Sequence, residues 1–390
     1  MRLAVKASLL LLSFWLKAES HSWPSTIFNK NPKKNWAVLV AGSDGWYNYR
    51  HQADVCHAYQ LLTGRGIPPE NVITMMVDDI ANNKRNPFRG QIFNDYKHQD
   101  VYNGTIIDYK GNEVDPHVLI RVLLGNETLK ARGKKVLESG PEDNVFLYFT
   151  DHGSAGLIAF PNGELYARKL NETVTKMHAS KRYSKFVMYV EACYSGSMFD
   201  GILSSKINAY AVTAANPHQS SWASFCEDPV INTCLADEFS HNWMEDTERH
   251  SIYNRTLKQQ YKSVRARTLK SQVQRYGDMK IGSETLDKFQ AHGQIRTEPV
   301  DGDYGLGTLV KHTIEDIVLH ATKTGKSHKK HVPKLQELKC FETVFEAFKL
   351  KCFTIQQVPE VAQYSVQLAK LCEQGYDPNT VVDSVYEMCA

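Results

Sequence analysis

Charge of one sign is missing from this 390-residue chain: 46 lysines and arginines face 43 aspartates and glutamates, a formal balance of +3 at pH 7. Phosphate recognition gathers basic residues into a patch or a domain of high pI, so nucleic-acid binding is not expected. No apolar run of about 18 residues or more follows the N-terminal segment, so no integral membrane segment is expected. Closely spaced Cys/His pairs of the form that holds zinc are absent, and neither a metal nor another cofactor is expected. Internal repeats and low-complexity tracts are absent as well. What is present is an ordinary 42% of hydrophobic residues, sufficient for a buried core, on a length that allows two or three domains at roughly 100–200 residues each.

The first twenty residues stand apart. Arg2 and Lys6 make a basic start, residues 7–16 are apolar but too short to span a bilayer, and Ala18-Glu19-Ser20 supplies small residues two apart. This is the pattern of a signal peptide cut near Ser20. Four Asn-x-Ser/Thr sequons, at Asn103, Asn126, Asn171 and Asn254, agree with a secretory route and are expected glycosylation sites. Export implies an oxidising compartment in which paired cysteines persist. The expected location is the secretory pathway, ending in a lysosome, an acidic vesicle or the extracellular space.

Between residues 36 and 290, short apolar runs at 36–41, 72–77, 145–150, 186–190 and 209–213 alternate with amphipathic stretches such as 51–62 and 116–124. Continuous apolar runs separated by helical segments are the pattern of a mostly parallel sheet covered on both faces, so the fold class is α/β. Residues 291–310 are rich in Gly, Asp and Pro and read as a linker. In 311–390 apolar residues recur at helical spacing, among them Ile314, Ile317, Val318 and Ala321, then Phe341, Val344, Phe345 and Phe348. The tail therefore reads as a small helical domain, and residues 21–35 as a short N-terminal extension.

In an open parallel sheet, ligands sit beyond the carboxyl ends of the strands. The run at 145–150 ends in Asp151-His152-Gly153, and the run at 186–190 ends in Glu191-Ala192-Cys193. Two buried strands thus deliver a His and a Cys to one edge of the sheet, which suffices for a nucleophile and its acid/base partner. The main-chain N–H groups of Gly153 and Cys193 are candidates to bind a developing oxyanion.

At these residues the chain resembles a known family. Tyr148-Phe-Thr-Asp-His-Gly-Ser154, Glu191-Ala-Cys-Tyr-Ser-Gly-Ser197, Gly45-Trp-Tyr-Asn-Tyr-Arg-His-Gln-Ala-Asp54 and Ala214-Ala-Asn-Pro217 are similar, in order, to the legumain family of caspase-like cysteine peptidases. The resemblance implies a caspase-like fold, protein or peptide substrates, a Cys193 nucleophile, a His152 general acid/base and Asn48 orienting the His. It also implies a pocket for the residue before the scissile bond (S1) built from Arg50, His51, Asp151, Glu191, Ser220 and Asp237. A carboxamide presents one acceptor and two donors, so a pocket pairing Arg50 with Glu191 and Asp237 suits an Asn side chain. An ionised Asp substrate would meet like charge there, so cleavage after Asp is expected only at lower pH. Capture of the same acyl intermediate by an amine, which makes a peptide ligase, is the alternative activity, and a non-enzymatic binding protein of the same fold is a more distant one.

The helical tail resembles the family's prodomain, which implies an intramolecular inhibitor, and cystatin-type inhibitors are candidate partners on the same ground. No Asn lies between Asn254 and Asn379, so self-cleavage in the linker is expected at Asp301 or Asp303. Asn29, Asn31 and Asn35 mark candidate cuts at the other end. Where relatives commonly carry an acidic residue after the nucleophile, this chain has Tyr194. Of the eight cysteines, Cys56 reads as a free buried thiol. Cys226 and Cys234 either pair across their loop or are held apart by it. Cys340, Cys352, Cys372 and Cys389 allow three pairings, of which the resemblance favours Cys340–Cys372 with Cys352–Cys389.

Overall fold

The computed structural model describes residues 34–290, 307–327, 332–355 and 361–389. The expected signal peptide, nearly all of the N-terminal extension with Asn29 and Asn31, and Asp301 and Asp303 lie outside these residues. Strand β1 (Asn35–Ala41) leads into helix α1 (Tyr49–Thr63), β2 (Val72–Met75), α2 (Pro116–Leu123), α3 (Glu127–Ala131) and β3 (Asn144–Thr150). A small antiparallel sheet follows, of β4 (Gly153–Ser154), β5 (Leu157–Phe160) and β6 (Gly163–Tyr166), then α4 (Ala167–Ala179), β7 (Lys185–Glu191) and β8 (Ala209–Thr213). Two short paired strands, β9 (Ala223–Ser224) and β10 (Ala236–Asp237), precede α5 (Glu238–Arg249), α6 (Leu257–Arg267) and β11 (Gln274–Gly277).

The central sheet has the order β11-β8-β7-β3-β1-β2, with every pair parallel except β11 against β8. Successive side chains on a strand point to opposite faces, and the two cores divide accordingly. Ala37, Leu39, Phe146, Tyr148, Val187 and Tyr189 pack with α1, α5 and α6, whereas Val38, Val40, Leu147, Phe149, Met188 and Val190 pack with α2 and α4. Continuous apolar runs are therefore what a sheet covered on both faces requires. Helix starts carry their own signals. Asp115 caps α2 by accepting the N–H groups of His117 and Val118, and Thr256 forms a reciprocal capping box with Gln259 at α6.

The tail is helical, as expected: α7 (Gly307–Thr324), α8 (Lys334–Lys351), α9 (Val361–Tyr364), α10 (Val366–Glu373) and α11 (Pro378–Met388). Helix α7 starts inside the stretch read as linker. The tail's core joins Ile314, Phe345, Leu368 and Val385 to Leu157, Ala159 and Tyr166 of the small sheet. Disulfides Cys340–Cys372 and Cys352–Cys389 tie the tail, Cys226–Cys234 closes the loop before β10, and Cys56 is a buried free thiol.

Candidate active site

Register delivers the site. Ala41 pairs with Thr150 and Thr150 with Glu191, so β1, β3 and β7 end level with one another. The exits are tied together: Gly42 N–H donates to Thr150 O at 3.0 Å and Asp151 N–H to Glu191 O at 3.1 Å. His152 and Cys193 then sit two residues past adjacent strands. A Cβ on Gly153 would lie 2.6 Å from the Cys193 carbonyl and 2.9 Å from Ala192 Cβ, so glycine is what lets the two turns approach this closely. Tyr194 is left-handed at φ 55°, a strained conformation for a residue with a Cβ. Its N–H donates to Gln219 O at 2.8 Å, and its carbonyl accepts the Ser197 hydroxyl at 2.6 Å.

His152 is oriented from the other side of the cleft. Asn48 ends the turn before α1, and its Nδ2 donates to Asp44 O at 2.9 Å, which leaves Oδ1 facing His152 Nε2 at 2.9 Å. Because Oδ1 only accepts, Nε2 carries the hydrogen and Nδ1 is the bare nitrogen in the neutral ring, a tautomer assigned from the hydrogen-bond network. Cys193 Sγ lies 3.7 Å from the carbonyl of Ser221.

A cluster of polar side chains adjoins this pair. Arg50 Nε donates to Asp237 Oδ1 at 2.9 Å, and Thr150 Oγ1 donates to Asp237 Oδ2 at 3.3 Å. His51 lies between Ser43 Oγ (2.6 Å), Asp151 Oδ1 (3.3 Å) and Asp237 Oδ2 (3.5 Å), edge-on to the His152 ring at 5.2 Å. Glu191 is buried, and its Oε2 accepts both the N–H and the hydroxyl of Ser240 at 3.0 Å. Its Oε1 makes no hydrogen bond of normal geometry, although the Ser221 hydroxyl is close enough to favour the charged form. The Ser220 hydroxyl faces Cys193 and Tyr194.

Residues 35–292 match the profile of the Peptidase C13 family. The chain belongs to that family. It is 43% identical to the hemoglobinase of Schistosoma japonicum over 93% of this chain and 94% of the relative. It is 47% identical to human legumain over 68% and 62% of the respective lengths, and 36% identical to the vacuolar-processing enzyme delta-isozyme of Arabidopsis thaliana over 91% and 90%. Among solved structures, caspase-1 from Spodoptera frugiperda aligns with a TM-score of 0.38 and 9% identity over 69% of this chain and 92% of its own, too slight a likeness to carry an argument.

The C13 peptidase is thus a cysteine endopeptidase of the legumain type, a hydrolase. Burial, with Arg50 nearby, pushes His152 down to about 3, and burial pushes the Cys193 thiol up against the partial offset of donors on Ser220 and Ser221. The resting pair is therefore a neutral thiol beside a neutral imidazole. His51 is held well below its ordinary value by burial, Arg50 and His152. Burial raises Glu191 and Asp237 above the ordinary carboxylate range; Asp237 adds to this for Glu191, while Arg50 opposes it for Asp237. Among the described residues His51, Asp151 and His152 hold metal-type donor atoms within 4.8 Å of one another; one ring nitrogen of His51 meets Ser43 and one of His152 meets Asn48.

The tail of the C13 peptidase docks on this edge. Ser154, two residues past His152, donates to Ala362 O at 2.9 Å and meets the Ser365 hydroxyl. Tyr194 shares a cleft with Tyr364, Val366 and Lys370 of the tail. Of the sequon residues, Asn103 and Asn254 are exposed, Asn126 caps α3 and Asn171 lies on α4 with Oδ1 shielded. Sequence reasoning gave no role to Ser43, Thr150, Ser221 or Ser240. Thr150 lies next to Asp151 and Ser221 next to Ser220, so adjacency to named residues was the available signal for those two.

Proposed function

We propose that this C13 peptidase is an asparaginyl endopeptidase made as a zymogen in the secretory pathway and working in an acidic compartment. The observation that carries the reading is the placement of Cys193 and His152 two residues past the level ends of adjacent strands, with His152 held by Asn48. His152 Nδ1 takes the thiol proton as Cys193 Sγ attacks the scissile carbonyl, and the main-chain N–H groups of Gly153 and Cys193 bind the oxyanion. The imidazolium gives that proton to the leaving amine, which departs and leaves a Cys193 acyl-enzyme. Water, deprotonated by His152, then releases the acid and restores the thiol.

In this reading Arg50 donates to the oxygen of an Asn carboxamide, and Glu191 and Asp237 accept from its nitrogen, with His51, Asp151 and Ser220 completing the pocket. An apolar side chain would leave those buried groups unpaired. An ionised Asp would face two carboxyl groups, so cleavage after Asp emerges as pH falls and the carboxyls protonate. Residues 311–390 serve as a prodomain. Support comes from the Ser154 contacts with Ala362 and Ser365, the Tyr166 hydroxyl 2.5 Å from Glu346, Arg168 paired with Glu342 at 2.9 Å and the Lys349–Glu164 ion pair. The name of the Arabidopsis relative, a vacuolar-processing enzyme, supports the acidic compartment.

The test incubates the protein at a series of acidic pH values with matched Asn and Asp peptides, with Cys193→Ala as control. Hydrolysis after Asn over a broad acidic range, and after Asp only at the lower end, is expected. Hydrolysis that survives in Cys193→Ala removes the mechanism, and equal rates on the two peptides at pH 7 remove the pocket.

A further inference from the structure

Helix α1 carries a polar stripe that the reading above uses only in part. Arg50, Asp54 and His57 follow at helical spacing. Asp54 is wholly buried. Its Oδ2 accepts the main-chain N–H of Asp237 at 3.2 Å, and its Oδ1 accepts Nδ2 of Asn94 at 2.8 Å. Asn94 is fixed in turn: Nδ2 also donates to Leu235 O at 2.9 Å, and Oδ1 meets His57 Nδ1 at 2.8 Å. The other ring nitrogen of His57 lies 2.7 Å from Glu248 Oε1. Both partners of His57 are acceptors, so both ring nitrogens carry hydrogens and the ring is an imidazolium.

We propose that Asp54 is a positioning residue of the substrate pocket: braced by Asn94, His57 and Glu248, it fixes where the Asp237 carboxylate meets Arg50 and the substrate's carboxamide. This rests on the S1 reading of Arg50 and Asp237. Residue 237 ends a two-residue strand; Arg50, Thr150 and His51 meet its carboxylate, whereas Asp54 holds its main-chain N–H. A buried carboxyl is costly unless its oxygens are bonded, and this one uses one oxygen on Asp237 and the other on the group that braces it. Burial, with Asp237 and Glu191 nearby, holds Asp54 well above the ordinary carboxylate range, whereas Arg50 opposes the rise that burial causes at Asp237. Although burial opposes the charge on His57, Glu248 and Asn94 keep it above its ordinary value, so the brace is charged at acidic pH.

The test compares wild type, Asp54→Ala, Asp237→Asn and the combined variant as full chains activated under the same acidic conditions, with active Cys193 counted by a small alkylating reagent. Asp54→Ala is expected to raise KM for an Asn peptide about tenfold, to hold kcat per active thiol within about threefold, and to add nothing to the Asp237→Asn loss. If Asp237→Asn raises KM and Asp54→Ala does not, or if the two losses multiply, the inference is overturned while the pocket stands. If Asp237→Asn leaves KM unchanged, the pocket reading itself fails and this inference falls with it. Should Asp54→Ala not fold, Asn94→Ala carries the test one bond further out: a KM rise of about threefold at constant kcat supports it, and an unchanged KM overturns it.

Discussion

His152 is oriented through Nε2 by Asn48, which is itself pinned by Asp44 O. Loss of that orientation affects the proton transfers and not the pocket. Asn48→Ala is therefore expected to lower kcat on the order of 100-fold with KM little changed, as steady-state kinetics on an Asn peptide would record. Glu191 gives a pH-dependent expectation. Its folded pKa is raised by burial and by Asp237, so the folded protein binds this proton more tightly than the unfolded chain. The resulting stabilisation is full below the unfolded value near 4.5 and is lost as pH rises through the raised folded value. Glu191→Gln carries no such charge, so its Tm relative to wild type should be higher at pH 7 than at pH 4. A Tm difference that does not change with pH would contradict the assignment.

At the scale of elements, β3, β7 and the small β4–β6 sheet hold His152 and Cys193 in place. A methyl on Gly153 would press on the Cys193 carbonyl at 2.6 Å, a main-chain atom that cannot turn aside. Gly153→Ala should cost about 1–3 kcal/mol, seen as a Tm lower by several degrees together with weakened hydrolysis. The apolar runs made β1, β3, β7 and β8 legible because a sheet buried on both faces leaves no polar position to confuse the period. Strand β11 was not legible: Gln274, Arg275 and Tyr276 are half-buried on an antiparallel edge and show no apolar run. Nor were β4, β9 and β10, at two residues each. The placement of Cys193 and His152 at adjacent strand ends was readable because each closes a conspicuous run. Asp54 was in plain view in the Gly45–Asp54 motif, but its partners Asn94 and Asp237 lie 40 and 183 residues away. Only the folded chain brings them together.

Across the whole molecule, no disulfide among the described residues joins the tail to the catalytic part; two lie within the tail and one within the Cys226–Cys234 loop. After a cut between residues 290 and 307, the two pieces should separate on a denaturing gel without reductant. In native buffer the docked tail rests partly on the Arg168–Glu342 and Lys349–Glu164 pairs, so high salt should increase its release in gel filtration. A single band on the non-reducing gel would show a covalent link. The position of the tail also has a consequence in time. The sheet is closed by β11, whose last residue is Gly277, and everything that docks over the strand ends is made later. At roughly 5–20 residues per second of synthesis, the stretch from 291 to 390 follows over roughly 5–20 s. During that interval the strand ends that carry His152 and Cys193 exist before the tail that docks beside them, so in the proposed zymogen the cover arrives seconds after the edge it covers.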